Sequence, residues 1–331
     1  MASTIGGVFD PVAEIDLTKV SVNGLRQLAG TTAPISGYLS GTGLNVAPRG
    51  STYIDAQQQV TYYNEGSAAA PYWTPLAYSD HPNLLGGYTD FRDGAGFAHA
   101  TTAYAALPLA GSGLRMFGSG IVDTDSGVVV TYQENGPRAR MTASATDAKT
   151  IALSFLSADG ASTMPYQPDT TYPMVVEAVV NQVTALTLRR FFIGFLGTAA
   201  DALVSPATGA TVTITLVQDD LGGLYFDAGL TAATALCAIF NNNDGLATTT
   251  VAATDTGTVV PAAGTSCLFR VEVDVLGTMR CFRNRVLVAT KVLALDITEE
   301  FSPVLLLAST SSAIKAMDVI RFGCWARRPN P

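Results

Sequence analysis

Residues 267–290 read CLFRVEVDVLGTMRCFRNRVLVAT. In this stretch Phe269, Val271, Val273 and Val275 alternate with Leu268, Arg270, Glu272 and Asp274. A period of two sends the first set to one face of a strand and the second to the other. Gly277 interrupts the pattern, so 267–276 and 278–288 are expected to pair as a hairpin, with Glu272 and Asp274 solvated on its outer face. TVTITLVQDD repeats the alternation, setting Val212, Ile214 and Leu216 against threonines. Turn signals recur at Asp159-Gly160, Gly222-Gly223, Asp244-Gly245, Gly277 and Asn284. No long segment of period 3.6 with caps is visible, so helix is expected to be scarce. Short strands with one wet face each, continuing from about Gly86 to Pro331, predict an all-β fold with two packed antiparallel sheets.

Upstream the character changes. Residues 1–30 carry Phe9, Val12, Ile15, Leu17, Val20, Val22, Leu25 and Leu28, too few apolar side chains to enclose a core. Left exposed, each would forfeit very roughly 1–2 kcal/mol, so this extended arm is expected to dock on a neighbour. Residues 31–85 open with TTAPISGYLSGTGLNVAPRG, a Gly/Ser/Thr/Pro composition that reads as linker. Ser51–Asp55 and Val60–Asn64 follow as a small β-hairpin module. Tyr53, Tyr62 and Trp73 concentrate aromatic area there and are expected to join Phe9, Ile15, Leu17, Val20, Leu25 and Leu28 in docking a partner. Packing within a mini-sheet explains the aromatics equally well.

Charged residues make up only 14% of the chain, against roughly 25% in an ordinary soluble domain. The shortage points to surface that faces other protein; a large β core under a Thr/Ser-rich skin lowers charge as well. With a net charge of −8 and no cluster of Lys or Arg, nucleic acid is not an expected partner. The start MASTIGGVFDP has no cationic region before an apolar one, so no cleavable signal peptide is expected. No run of about 20 apolar residues is present to span a bilayer as a helix. Cys237, Cys267, Cys281 and Cys324 lack C-x-x-C spacing, and zinc is not expected. In the hairpin Cys281 would face the region of Glu272 and Val273, with Cys267 about 20 Å farther along its strand at roughly 3.3 Å per residue. The four read as reduced, buried, small apolar residues, as suits assembly in a cytoplasm.

Two stretches carry family resemblances. GSTYIDAQQQVTYYNEGSAAAPYWTPL (50–76) resembles a G-S-x-Y-x-D, x-Y-x-N-x-G, P-x-W-T module of head-decoration, head-fibre and tail-fibre proteins of tailed bacteriophages. Upstream, IDLTKVSVNGLRQLAGTTA is similar to the leader that precedes it in the same proteins. The hairpin 267–290, with AMDVIRFGCWARRP as closing strand, resembles concanavalin-like (laminin-G or glucanase-like) jelly-roll domains. In that family the second turn is Asp-Gly; here it is Asn284-Arg285, and Asn still tolerates positive φ. These resemblances imply a virion structural protein on the capsid exterior, assembled in the host cytoplasm. Its implied partners are the major capsid protein and further copies of itself in a homotrimer. The alternative they leave open is a tail-fibre or baseplate protein that holds a host surface glycan.

Chemistry is sparse. Glycanases of that sandwich class set E-x-D-x-E or E-x-D-x-x-E on one strand. Glu14-Ile15-Asp16-Leu17-Thr18-Lys19 lacks the second glutamate, and Glu272 with Asp274 lacks a third carboxylate. There is no G-x-S-x-G, and His81 and His99 are the only imidazoles. Asp123 with Asp125, and Asn241, Asn243 and Asp244, offer too few oxygens for calcium and serve as turns. The expectation is a non-enzymatic chain with no cofactor and no metal.

Overall fold

The computed structural model describes residues 15–16, 25–38, 41–76, 84–91, 107–108, 115–117, 127–133, 136–143, 150–154, 166–183, 189–197, 207–210, 213–217, 220–230, 235–242, 249–252, 255–259, 261–310 and 315–327. The chain divides into two compact units, Met1–Leu85 with Arg285–Leu287, and Gly86–Asn284 with Val288–Pro331.

The first unit is a five-stranded sheet in chain order: β1 (Ile15–Asp16), β2 (Gln27–Gly30), β3 (Thr52–Asp55), β4 (Val60–Asn64) and β5 (Trp73–Pro75). β2 and β3 are parallel and the other pairs antiparallel. Leu28, Ala33, Ala47, Tyr53, Val60, Tyr62, Trp73 and Leu84 form its core. The Tyr53 ring lies 5.8 Å from Trp73 and 6.5 Å from Tyr62. The supposed linker is part of this body. Ala33, Ser36 and Ala47 are buried, the Ser36 hydroxyl accepts from Trp73 N (3.0 Å), and the Thr42 carbonyl accepts from the Trp73 indole (3.0 Å). Small residues here let the backbone lie against the indole: a Cβ on Gly43, which has φ +70, would come within 2.8 Å of Ala47 Cβ. A composition that reads as flexible therefore serves close packing.

The second unit is a sandwich. Its first sheet runs β22 (Val286–Lys291), β21 (Met279–Arg283), β20 (Ser266–Val273), β12 (Met174–Gln182), β24 (Lys315–Arg327), β10 (Gly136–Ala143), β9 (Gly127–Gln133), with β6 (Leu84–Thr89) also paired to β24. Its second runs β19 (Asp255–Val259), β17 (Ala235–Asn242), β16 (Asp220–Asp227), β13 (Arg189–Gly197), β23 (Phe301–Ser309), β11 (Thr150–Ser154), β8 (Arg115–Phe117), β7 (Leu107–Pro108). A third, small sheet of β14 (Ala207–Ala210), β15 (Thr213–Leu216) and β18 (Thr249–Ala252) completes the unit. One four-residue helix, α1 (Pro168–Thr171), is present among the described residues. The fold is a jelly-roll sandwich, all-β and antiparallel.

Strand parity explains the layering. On β13, Phe191, Ile193 and Phe195 share one face, and Phe191 meets Phe269 of the first sheet at 5.3 Å. Phe192 and Leu196 share the opposite face and join Tyr225, Leu306, Ile214 and Leu216 in a second core beneath the small sheet. The second sheet is thus covered on both sides, which is why β13 and β23 are apolar at nearly every position rather than alternating. Ile214 and Leu216 point into this core, as the alternation in TVTITL predicts.

Gly222-Gly223 does not turn the chain. Both lie within β16, where Gly223 pairs with Gly194 of β13. A Cβ on Gly223 would stand 2.3 Å from the Ile193 carbonyl oxygen and 2.8 Å from the Phe192 ring. Gly223 and Gly194 make room for that ring, so a signal that usually marks a turn here marks a close contact.

The 267–290 hairpin forms, with Val271 opposite Cys281 and Val273 opposite Met279. Cys281 therefore faces Val271, slightly off the expected register, because β20 ends at Val273 and Asp274 caps the turn by accepting from Leu276 N and Thr278 N (both 3.0 Å). Asn284 and Arg285 take φ of 49° and 68°, a left-handed pair suited to a two-residue hairpin turn. All four cysteines are free and buried.

Candidate functional site

Of the residues expected to dock a partner, Leu28, Tyr53, Tyr62 and Trp73 are turned inward, and Leu28 and Trp73 each keep 1% of their surface exposed. That corrects the expectation for these four: their aromatic and aliphatic area is consumed by the module's own core. Leu25 is half-buried, and Ile15 sits in β1 opposite Ala29. Phe9, Leu17 and Val20 lie outside the described residues, as do His81, His99, Asp123, Asp125, Asp159-Gly160, Asn243 and Asp244-Gly245.

The module's polar residues each hold a piece of backbone. The buried Asn64 amide donates to the Ala47 carbonyl (2.6 Å), while its oxygen accepts from Gly66 N and Tyr72 N (both 2.8 Å). Asp55 Oδ1 accepts from Gln57 N (3.1 Å) and Gln58 N (3.2 Å), closing the β3–β4 connection. The Ser51 hydroxyl accepts from Arg26 N (3.1 Å), and the Tyr53 hydroxyl donates to the Thr32 carbonyl (2.8 Å). Gly66 stands where a Cβ would meet the Ala70 carbonyl oxygen at 2.2 Å.

In the sandwich, charge gathers on the outer face of the first sheet. The register places Glu177 opposite Arg270, Glu272 opposite Arg280 and Val175, and Arg140 opposite Asp318. Glu177 Oε1 accepts from Arg321 (2.7 Å) and its Oε2 lies 3.9 Å from Arg270. Arg270 also pairs with Glu272, and its guanidinium stacks 4.7 Å from the Trp325 ring centroid. Asp318 is held by Arg140 through both oxygens (2.7 and 3.1 Å), with Arg138 3.8 Å away. The hydrogen bond to Asp318 raises the Arg140 guanidinium above its ordinary range.

Glu272 was expected in solvent and is buried instead, as is Arg270. Alternation placed them on the correct face, but each neutralises the other, which makes that face fit to be covered. Asp274, also expected in solvent, is half-buried, paired to Arg280 at 2.9 Å. Sequence reasoning missed Glu177, Arg321, Arg140 and Asp318. The available signal was Glu177, a lone acid in the otherwise apolar run MVVEAVV (174–180), since an isolated buried charge needs a partner on the adjacent strand.

Glycoside hydrolysis needs one protonated carboxyl and a second free to attack carbon or activate water. Here the Glu177, Glu272 and Asp318 carboxylates are each engaged by guanidinium. The arrangement ties strands together, and the Arg321 and Arg140 side chains in it remain partly exposed. Among the described residues no group of three His, Cys, Asp or Glu is placed to share a metal ion.

No family model matches the chain, and neither does any curated protein. Solved structures similar to it include a protein of unknown function from Shewanella oneidensis, 9% identical, covering 77% of this chain and 90% of that one at a TM-score of 0.41. Peanut lectin is 10% identical, covering 73% and 97% at a TM-score of 0.43. A glycoside hydrolase family 16 endo-glucanase from Bacteroides ovatus is 8% identical, covering 74% and 95% at a TM-score of 0.38. Likeness this remote lends the chain neither the ligands nor the reactions of those proteins.

Proposed function

We propose that this chain is a non-enzymatic structural protein of a tailed-phage particle, attached to the capsid exterior by its N-terminal region and displaying the sandwich outward. The observation that supports it is the construction of the first unit. Ser51, Tyr53, Asp55, Asn64, Gly66 and Trp73, which carry the resemblance to phage decoration and fibre modules, are the residues that hold this unit's backbone and core together. The attaching surface is then the arm together with the outside of that unit, where Tyr38, Val46, Tyr63 and Leu76 are exposed, rather than the aromatics of its core. A ligand selective for assembled shells stabilises them by mass action. The test is saturable binding of the purified full chain to purified capsid shells, with antibody label over the head in electron micrographs. Label confined to the tail tip, with no shell binding, would refute it.

The low charge content supports self-association, and a trimer is the proposed form. Light scattering that shows a lone monomer at high concentration rejects it. A second reading, recognition of a host glycan on the outer face of the first sheet, is favoured by the partly exposed Arg140 and Arg321 guanidiniums beside buried carboxylates. Glycan-array binding lost in Arg321→Ala and Arg140→Ala would support it; an array without hits removes it.

A further inference from the structure

The turn after β20 and the loop after β22 pack against each other at one end of the sandwich. Ala294 N and Leu295 N donate to the Gly277 carbonyl (2.8 and 3.3 Å), and a Cβ on Gly277 would meet Ile297 Cγ2 at 3.4 Å. Within the loop, Ala294 and Leu295 are turned in, with Leu295 seated against Gly222. Their neighbours are turned out: Val292 is 69% exposed, Leu293 60% and, on the adjoining turn, Leu276 63%, with Ile297 and Val275 beside them. Loop anchoring by the buried pair means that this exposure belongs to the folded state.

Leu293 has a second peculiarity. Its φ is +52°, a region that favours glycine, and the Asn242 amide fixes it there by donating to its carbonyl (2.7 Å). A branched residue in the left-handed region with its side chain in solvent is costly twice over, which directs attention to what the side chain meets. The surrounding charge is acidic. Asp296, Glu299 and Glu300 follow in sequence, and Asp169 N donates to the Ile297 carbonyl (3.2 Å) from α1. Among the described residues the cations beside it are Arg280, paired to Asp274 (2.9 Å), and Lys291, which lies over the Phe240 ring at 5.9 Å, so the three acids outnumber the one cation without a carboxylate partner.

We infer that Val275, Leu276, Val292, Leu293 and Ile297 form a docking surface for a protein partner that presents an apolar patch rimmed by Lys or Arg. The acidic rim selects the occupant. A second copy would bring the same acids to the contact, and anionic lipid or nucleic acid would be repelled. A basic rim gains attraction around a dry centre, the ordinary anatomy of an interface. The surface lies on the sandwich, so its failure leaves the attachment reading standing.

The experiment uses the full chain and a labelled, sixteen-residue amphipathic peptide of Leu and Lys, with a Leu and Glu peptide of the same pattern as control. Fluorescence anisotropy is expected to show saturable binding of the Lys peptide alone, weakened about tenfold or more by Val292→Ser combined with Leu293→Ser. Leu293→Gly is expected to weaken binding while holding or raising Tm, because glycine accepts the backbone angle without penalty. Equal binding by the serine variant overturns the proposal, as does equal binding of the Glu peptide. So does light scattering that finds an oligomer dispersed by the serine variant, since the occupant is then a second copy. A fall in Tm for Leu293→Gly also counts against it, because the leucine would then be holding the fold.

Discussion

Asp227, fully buried at the end of β16, gives the sharpest test of how the layers are joined. Its Oδ2 accepts from Arg190 Nε (2.8 Å), the Tyr225 hydroxyl (2.7 Å) and Gly209 N (2.6 Å), and its Oδ1 accepts from Gly229 N (2.7 Å). One carboxylate thus ties β13, β16 and the small sheet. Asp227→Asn keeps the shape but removes the charge, and it sets an NH2 group against at least one donor. Removing one partner of a buried ion pair costs about 3–5 kcal/mol. Arg190→Met leaves three donors on the carboxylate and is expected to cost less, about 1.5–3 kcal/mol, the worth of a hydrogen bond to a charged group. Urea unfolding of both single variants and the double variant gives the coupling, expected to be about 1.5–3 kcal/mol. A loss below about 1 kcal/mol in Asp227→Asn, with no coupling to Arg190, would refute the reasoning, since surface substitutions alone lie within about 0.5 kcal/mol.

Three further outcomes follow from the same geometry. Burial raises the Cys281 and Cys324 thiols to about 12 from an ordinary 9.0. The folded state therefore keeps protons that the unfolded state loses, so this contribution is complete below pH 9 and is lost as pH rises from 9 to 12. Between pH 8 and 10 the wild type should lose roughly 1 kcal/mol per thiol more than a Cys281→Ala, Cys324→Ala variant in urea titrations; parallel losses would negate this. Asn64→Ala strands the Gly66 and Tyr72 amides and the Ala47 carbonyl, and should destabilise the first unit by about 2–4 kcal/mol, read as an earlier protease cut within residues 25–76. Gly223→Ala drives a methyl into the Ile193 carbonyl oxygen at 2.3 Å and should cost 3 kcal/mol or more, on the order of a large core defect; an unchanged Tm would contradict the close packing of β13 on β16.

The fold class was legible where one face of a strand is apolar and the other is not, as in TVTITL and in the hairpin at 267–290. Legibility failed where pairing across strands changes the meaning of a residue. Glu272 reads as a solvent residue until it is found paired to Arg270, whose guanidinium stacks on Trp325 of another strand. Gly222-Gly223 reads as a turn until Phe192 is seen resting on Gly223 and Gly194, with Leu295 against Gly222. Trp73 and Tyr53 read as interface until Ala33, Ala47 and Gly43, in an apparent linker, are found closing over them. The Glu177–Arg321 and Asp318–Arg140 ion pairs join residues more than a hundred positions apart, and local pattern carries no record of such partners.

A sheet enclosed on both faces also imposes an order of events during synthesis. β13 and β23 are hydrogen-bonded neighbours, yet roughly a hundred residues separate the end of one from the start of the other. At about 5–20 residues per second, RRFFIGFLG leaves the ribosome some 5–20 s before FSPVLLLAS is available to cover its edge. Until then an apolar strand, sticky on either side, waits among nascent chains. Slower translation lengthens that wait, so yield of soluble protein should respond to chaperone supply more strongly than to the final stability of the folded chain.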